Sequence, residues 1–224
     1  MEMDEKIQYA VEHTEIVRPP RHRLATFGTT NIHYYLVTAL TESVNVVREG
    51  KVLAERPRIV TPAYLAHLDG FSGQARRFIE MMMEEFPHEP GVFYAYKNEP
   101  GEMNIVSEPM EAVIDNISQR IDSNQDPLSA IIKGVEELWD VSLLKFTYEL
   151  TRRSVYSNVA ELRRSGLLNV DNTGVPGDAR GHIEELFEKV RRDSSRAPEL
   201  LAELRRWSLF NEYQDRFLSL FKGR

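Results

Sequence analysis

Apolar and polar positions change rhythm near the middle of the chain. Up to about residue 123 the apolar runs are short: Leu24 to Phe27, Ile32 to Thr38, "SVNVV" from 43, "KVLAERPRIV" from 51, "GVFYAYK" from 91 and "EMNIVS" from 102. Runs of this length, rich in β-branched and aromatic residues, predict strands. Turn chemistry separates them at Gly28-Thr29-Thr30-Asn31, at Glu49-Gly50 and at Pro100-Gly101, which predicts three hairpins. Pro57 lacks an amide donor, so its strand should stop there or lie at an edge. One helical insertion is expected, opening at Thr61-Pro62 as N-cap and first helical residue and running to about Phe86, with Gly70 and Gly73 as interruptions.

Beyond residue 123 the spacing lengthens to that of helices. Asp126-Pro127 reads as the cap of a long amphipathic helix carrying Ile131, Ile132, Val135, Leu138, Trp139, Leu143, Phe146 and Leu150. Asn158 and Glu161 have capping-box spacing, and Gly166 ends that helix. Further helices are predicted from Pro176 to Arg192, from Pro198 to Trp207 and from Leu209 to Phe221. The expected fold is α+β: an antiparallel sheet of about five or six strands with helices over residues 1–123, then a helical bundle over 124–224 packed on the sheet as one compact unit. The last helix presents Leu209, Phe210, Tyr213, Phe217, Leu218, Leu220 and Phe221, more apolar surface than water tolerates. Its cover is expected from the protein's own core, with a homo-oligomer or a protein partner as the sharper reading.

Composition narrows the function. With 224 residues and 42% hydrophobic content the chain can fill a core. It has no cysteine, so disulfides, thiolate metal sites and cysteine nucleophiles are excluded, and a cytoplasmic location is the simplest expectation. No stretch approaches the roughly 20 apolar residues of a membrane span, and the acidic start has no signal-peptide core. The net charge of −7 comes from the middle of the chain, where residues 61–122 carry 4 basic and 11 acidic side chains. That balance opposes phosphate-backbone binding, so nucleic acid is not an expected partner.

Candidate chemistry is sparse. Arg18, Arg21, His22 and Arg23 form a basic cluster stiffened by Pro19 and Pro20, suited to an anion or an acidic partner. His33 and Tyr35 share one face of their strand, while Ile32, Tyr34 and Leu36 share the other. An enzyme would need His33 or Tyr35 in a hollow with converging polar neighbours. None of the six histidines sits in an H-E-x-x-H frame, and G-x-S-x-G does not occur, so no metal, cofactor or nucleophile is expected.

The segment from 51 to 122 runs strand, helix, "GFSG", helix, strand, strand, helix, which resembles a type I KH domain in order and length. The resemblance implies that Gly70 and Gly73 would clamp single-stranded nucleic acid, with Arg76 and Arg77 beside them. The loop's central Phe71 and Ser72 are not basic, and the segment as a whole is acidic. The leading expectation is a binding or assembly protein without catalytic activity, with the nucleic-acid site and a pocket near the first hairpin as alternatives.

Overall fold

A computed structural model describes residues 3–61, 64, 84 and 90–221. The helix expected between Thr61 and Phe86 therefore lies outside the described residues, as do Gly70, Gly73, Arg76 and Arg77. The described elements are α1 (Met3–Glu12), β1 (Glu15–Arg18), β2 (Thr30–Ala39), β3 (Asn45–Ala54), β4 (Arg58–Val60), β5 (Gly91–Phe93), β6 (Tyr96–Val106), α2 (Met110–Asn124), β7 (Ser129–Gly134), α3 (Trp139–Arg164), α4 (Gly177–Arg192), α5 (Ala197–Arg206) and α6 (Phe210–Ser219). The fold is α+β. Its residues form two compact units: Met1–Arg56 with Tyr94–Asn158, and Pro57–Phe93 with Val159–Arg224.

The first unit is built on a five-stranded sheet ordered β1-β7-β2-β3-β6. Three of its pairings are antiparallel, and β2 with β7 is parallel. Side chains of one sheet face, including Ile32, Tyr34, Leu36, Val52, Ala130 and Ile132, pack with Leu143, Phe146 and Leu150 of α3. The opposite face places Val37, Val47 and Ile131 against Val113, Ile117 and Ile121 of α2. The alternation expected of β2 is observed, with Ile32, Tyr34 and Leu36 buried and His33 and Tyr35 partly exposed or half-buried on the other face.

Several local expectations change. Leu24 to Phe27 is not a strand, so the first predicted hairpin does not form. The Leu24 amide donates to Ser154 Oγ at 3.1 Å and the Ala25 amide to Thr30 Oγ1 at 2.8 Å, so side chains satisfy donors that a ladder would have used. Glu49-Gly50 and Pro100-Gly101 are not turns either. They lie inside β3 and β6, where Gly50 faces Pro100 and the register slips between Arg48 and Gly50. Two residues of β6, Gly101 and Glu102, stand there opposite Glu49 alone, the signature of a bulge. The hairpin that does form joins β2 to β3 through Leu40–Val44, closed by the Leu40 amide on the Val44 carbonyl at 2.8 Å.

The long helix expected from Asp126 is divided. Ser129–Gly134 is the strand β7, whose Ala130, Ile131 and Ile132 are fully buried, and the helix begins only at Trp139. A short run buried on both faces carries no periodicity that separates strand from helix. Asn158 is interior to α3 rather than a cap. Its amide, oriented to satisfy both ends, donates to Thr26 Oγ1 and accepts from the Tyr94 hydroxyl, each at 3.2 Å.

In the second unit β4 and β5 form a two-stranded antiparallel sheet. The helices expected from Pro176, Pro198 and Leu209 are present as α4, α5 and α6, and Gly166, at φ +71°, follows the end of α3. Their core joins Ile183, Leu186, Phe187 and Val190 to Leu200, Leu204, Trp207, Leu209 and Phe217. Phe210, Tyr213 and Leu220 pack against it, so most of the aromatic surface of α6 is covered within its own unit, while Leu218 and Phe221 stay exposed. Glu203, almost fully buried, is held by Arg58, by Trp207 Nε1 at 3.1 Å and by the Tyr64 hydroxyl at 3.3 Å. The donors around it offset the cost of burying a carboxylate.

Candidate ligand-binding face

Helix α2 covers only part of its sheet face. The residues it leaves open on β2, β3 and β6 include His33, Tyr35, Glu49, Lys51, Glu99 and Glu102, which line a shallow shelf of about 430 Å³. The backbone of Gly50 and Gly101 lines it as well. Beside α2 a second hollow of about 370 Å³ has an apolar floor of Val47, Val106, Val113 and Ile117 and a polar rim of Asn104, Glu108 and Asn116. Glu49 lines both hollows. Arg120 of α2 bonds Glu49 Oε1 at 2.7 Å and lies 4.7 Å over the Tyr35 ring, so one ion pair stands between groove and shelf.

His33 is anchored from beneath. Its Nδ1 lies 2.9 Å from Asp126 Oδ2, and Asp126 also accepts from the Leu128 amide at 2.9 Å and from Ser129 Oγ at 2.8 Å. Burial would raise the Asp126 pKa, but those hydrogen bonds and the histidine outweigh it and hold the carboxyl below its ordinary value. An ionised carboxylate only accepts, which places the proton on Nδ1 and leaves Nε2 as the second ring atom to serve a ligand. The loop after α2 is shaped for this by Gln125, which takes φ 52° at the helix C-cap.

The basic cluster is partly spent on the fold. Arg18 donates to Asp122 Oδ1 at 2.5 Å and to the Ser118 carbonyl at 3.2 Å, and Arg21 donates to the same carboxylate oxygen at 3.1 Å. Cations at the last turn of α2 complement its dipole. His22 and Arg23 are exposed, with no ion pair among the described residues. Thus His33 and Tyr35 share a hollow, whereas Arg18 and Arg21 brace a helix end. No motif marks Arg120, and the sequence marks Asp126 only as a helix cap. Their roles come from a loop and a helix that return to β2 only after folding.

Among the described residues no group of three His, Asp or Glu side chains could hold a metal, and no helix is long and apolar enough to cross a membrane. No family model, curated protein or solved structure matches the chain.

The outer strand completes the face. β6 ends the sheet, and among the described residues nothing pairs with its free edge. Its side chains alternate: Glu99, Glu102, Asn104 and Val106 belong to the face bearing shelf and groove, while Met103 and Ile105 point to the other and are 61% and 63% exposed.

Proposed function

We propose that this protein is a binding module that takes an extended segment of a partner polypeptide as an additional strand on β6. The free edge of β6, with two large apolar side chains exposed on one face and a groove on the other, carries this reading. A sheet edge offers unpaired amides and carbonyls to any chain that can align with it, and long apolar edges are usually blunted by charge, proline or a covering element. In β6 the bulge at Pro100-Gly101 and the charges of Lys97 and Glu99 guard the first half. The stretch from Met103 to Val106 has no such guard. A short strand added there would bury Met103 and Ile105 from one side and place an alternate side chain over Val47, Val113 and Ile117 from the other.

The test uses labelled heptapeptides of alternating β-branched and polar residues, followed by fluorescence anisotropy. Binding should be lost in Met103→Lys and Ile105→Lys, exposed substitutions that leave the unfolding midpoint unchanged. Equal binding by both variants and the parent protein would refute strand addition.

The 2.9 Å contact between His33 and Asp126 beside an open shelf favours a second reading, acid–base catalysis with His33 Nε2 as the base and Asp126 holding the ring. Hydrolysis of chromogenic carboxylic and phosphoric esters that is absent in His33→Gln would support it. Identical rates in parent and variant would remove it.

A further inference from the structure

We infer that the partner strand is basic, and that it carries an apolar residue and a lysine or arginine two positions apart. This rests on the strand-addition reading above and adds what the strand must contain. On β6, Asn104 borders the groove and Glu102, two residues earlier on the same face, borders the shelf. A neighbouring strand has the same two-residue repeat, so side chains that point to this face at consecutive turns of the pleat meet first one hollow and then the other.

The two hollows ask for different chemistry. The groove floor is apolar, and its volume of about 370 Å³ has room for an aliphatic side chain. The shelf brings Glu49, Glu99 and Glu102 around a tyrosine ring, against Lys51 alone as lining cation. Two of these carboxylates already have partners, Glu49 with Arg120 at 2.7 Å and Glu99 with Lys97 at 2.7 Å. Glu102 has none among the described residues, and it is the carboxylate nearest in sequence to the unguarded edge. A cationic side chain arriving beside it would gain a charge-assisted bond.

The same charges argue against a second copy of this chain in that position. Antiparallel self-pairing centred on Asn104 would set Glu102 opposite Val106 of the other copy and diagonally near its Glu108, acid beside acid, and directly or diagonally placed like charges destabilise a strand pair. The net charge of −7 adds a long-range repulsion that a basic segment does not meet.

Two peptide pairs decide it: strands containing Val-x-Lys or Lys-x-Val, and the same strands with glutamate in place of lysine, titrated against the full chain at low and moderate salt. The lysine member of at least one pair should bind at least tenfold tighter than its glutamate twin. That gap should shrink severalfold in Glu102→Gln and with added salt, while Ile105→Lys should abolish binding of every peptide. Equal affinity for lysine and glutamate strands, with binding still lost in Ile105→Lys, would overturn the basic partner and leave strand addition standing. Loss of neither by Ile105→Lys would overturn both. A dimer seen by sedimentation in the parent protein and absent in Ile105→Lys, with no peptide bound, would make a second copy the occupant and refute the basic segment.

Discussion

The phenol ring of Tyr34 occupies the space above Gly50 of the neighbouring strand, and its hydroxyl donates to Asn98 of the strand beyond at 3.1 Å. One tyrosine therefore bridges three strands of the sheet, and it can do so only because residue 50 has no side chain. A Cβ at Gly50 would overlap the ring and come within 2.9 Å of the Glu99 carbonyl. Gly50→Ala should cost about 1–3 kcal/mol, the usual range for overpacking a filled site. Urea denaturation should show the loss as a lower midpoint with an unchanged slope. Tyr34→Phe should cost less, about 1 kcal/mol, the net value of one hydrogen bond.

Gly50 also shows why part of the architecture was legible and part was not. Its sequence neighbour Glu49 and the alternation on either side suggest a turn, because a glycine between two apolar runs usually supplies one. Here the glycine serves a close approach by Tyr34, a contact 16 positions away that no local pattern encodes. The helices α4 and α5 are readable because the prolines that open them, Pro176 and Pro198, act locally, as does Gly166 after the end of α3. The strand β7 was not, since Ala130, Ile131 and Ile132 are apolar on both faces and only their position in the middle of the sheet makes them extended. His33 and Tyr35 were placed correctly on one face, but the carboxylate and guanidinium that give them chemistry arrive from α2 and its following loop.

Acid should destabilise the protein through a small set of carboxylates. Hydrogen bonds from Arg48, against the opposing effect of burial, hold Glu136 below its ordinary value, and Asp126 is held low by its donors. Asp171 is held well below the carboxylate range: burial would raise it, but donors from Thr173, Val175 and Arg180 dominate. A depressed folded-state pKa means that the unfolded chain binds protons first. The stabilisation is then complete above the unfolded carboxylate value of about 4 and drains away as pH falls through the lower folded values. The urea midpoint should be level between pH 7 and 5 and drop below about pH 4. Glu136→Gln should start lower at pH 7 and fall less steeply.

Asp171 organises the loop before α4. One of its oxygens accepts from the Thr173 amide at 2.8 Å and the Val175 amide at 3.1 Å, and the other takes Arg180 Nη2 at 2.8 Å. Arg180 continues to Glu212 of α6 at 2.5 Å. Asp171→Ala removes the acceptor for several donors at once and should cost about 1.5–3 kcal/mol, as charged hydrogen bonds do. Asp171→Asn should recover part of that loss, because an amide oxygen still accepts from the loop amides. Thermal unfolding of the two variants side by side checks the order.

Amide hydrogen exchange should separate the strands of the sheet. Tyr34, Leu36, Ile131 and Ile132 lie where β2 and β7 are flanked on both sides, and their amides should be among the slowest to exchange. Amides of β6 that face the free edge should exchange fast in the protein alone. They should slow when a strand-forming peptide is added, and a β6 that stays equally fast with saturating peptide would contradict edge pairing.

Neither unit is one uninterrupted stretch of chain: the polypeptide passes between them after Arg56, after Phe93 and again within α3 after Asn158. A ribosome emitting this protein has released β1, β2 and β3 long before β7, the strand that must slide in between β1 and β2, becomes available. The nascent sheet waits with a vacancy at its centre for some 90 residues, during which β2 can find only one of its two neighbours. A single cut after Asn158 would keep every residue of the first unit on one piece but part Pro57–Phe93 from the rest of the second, so the second unit's core, which includes Val60 and Tyr64, cannot be made from one continuous stretch.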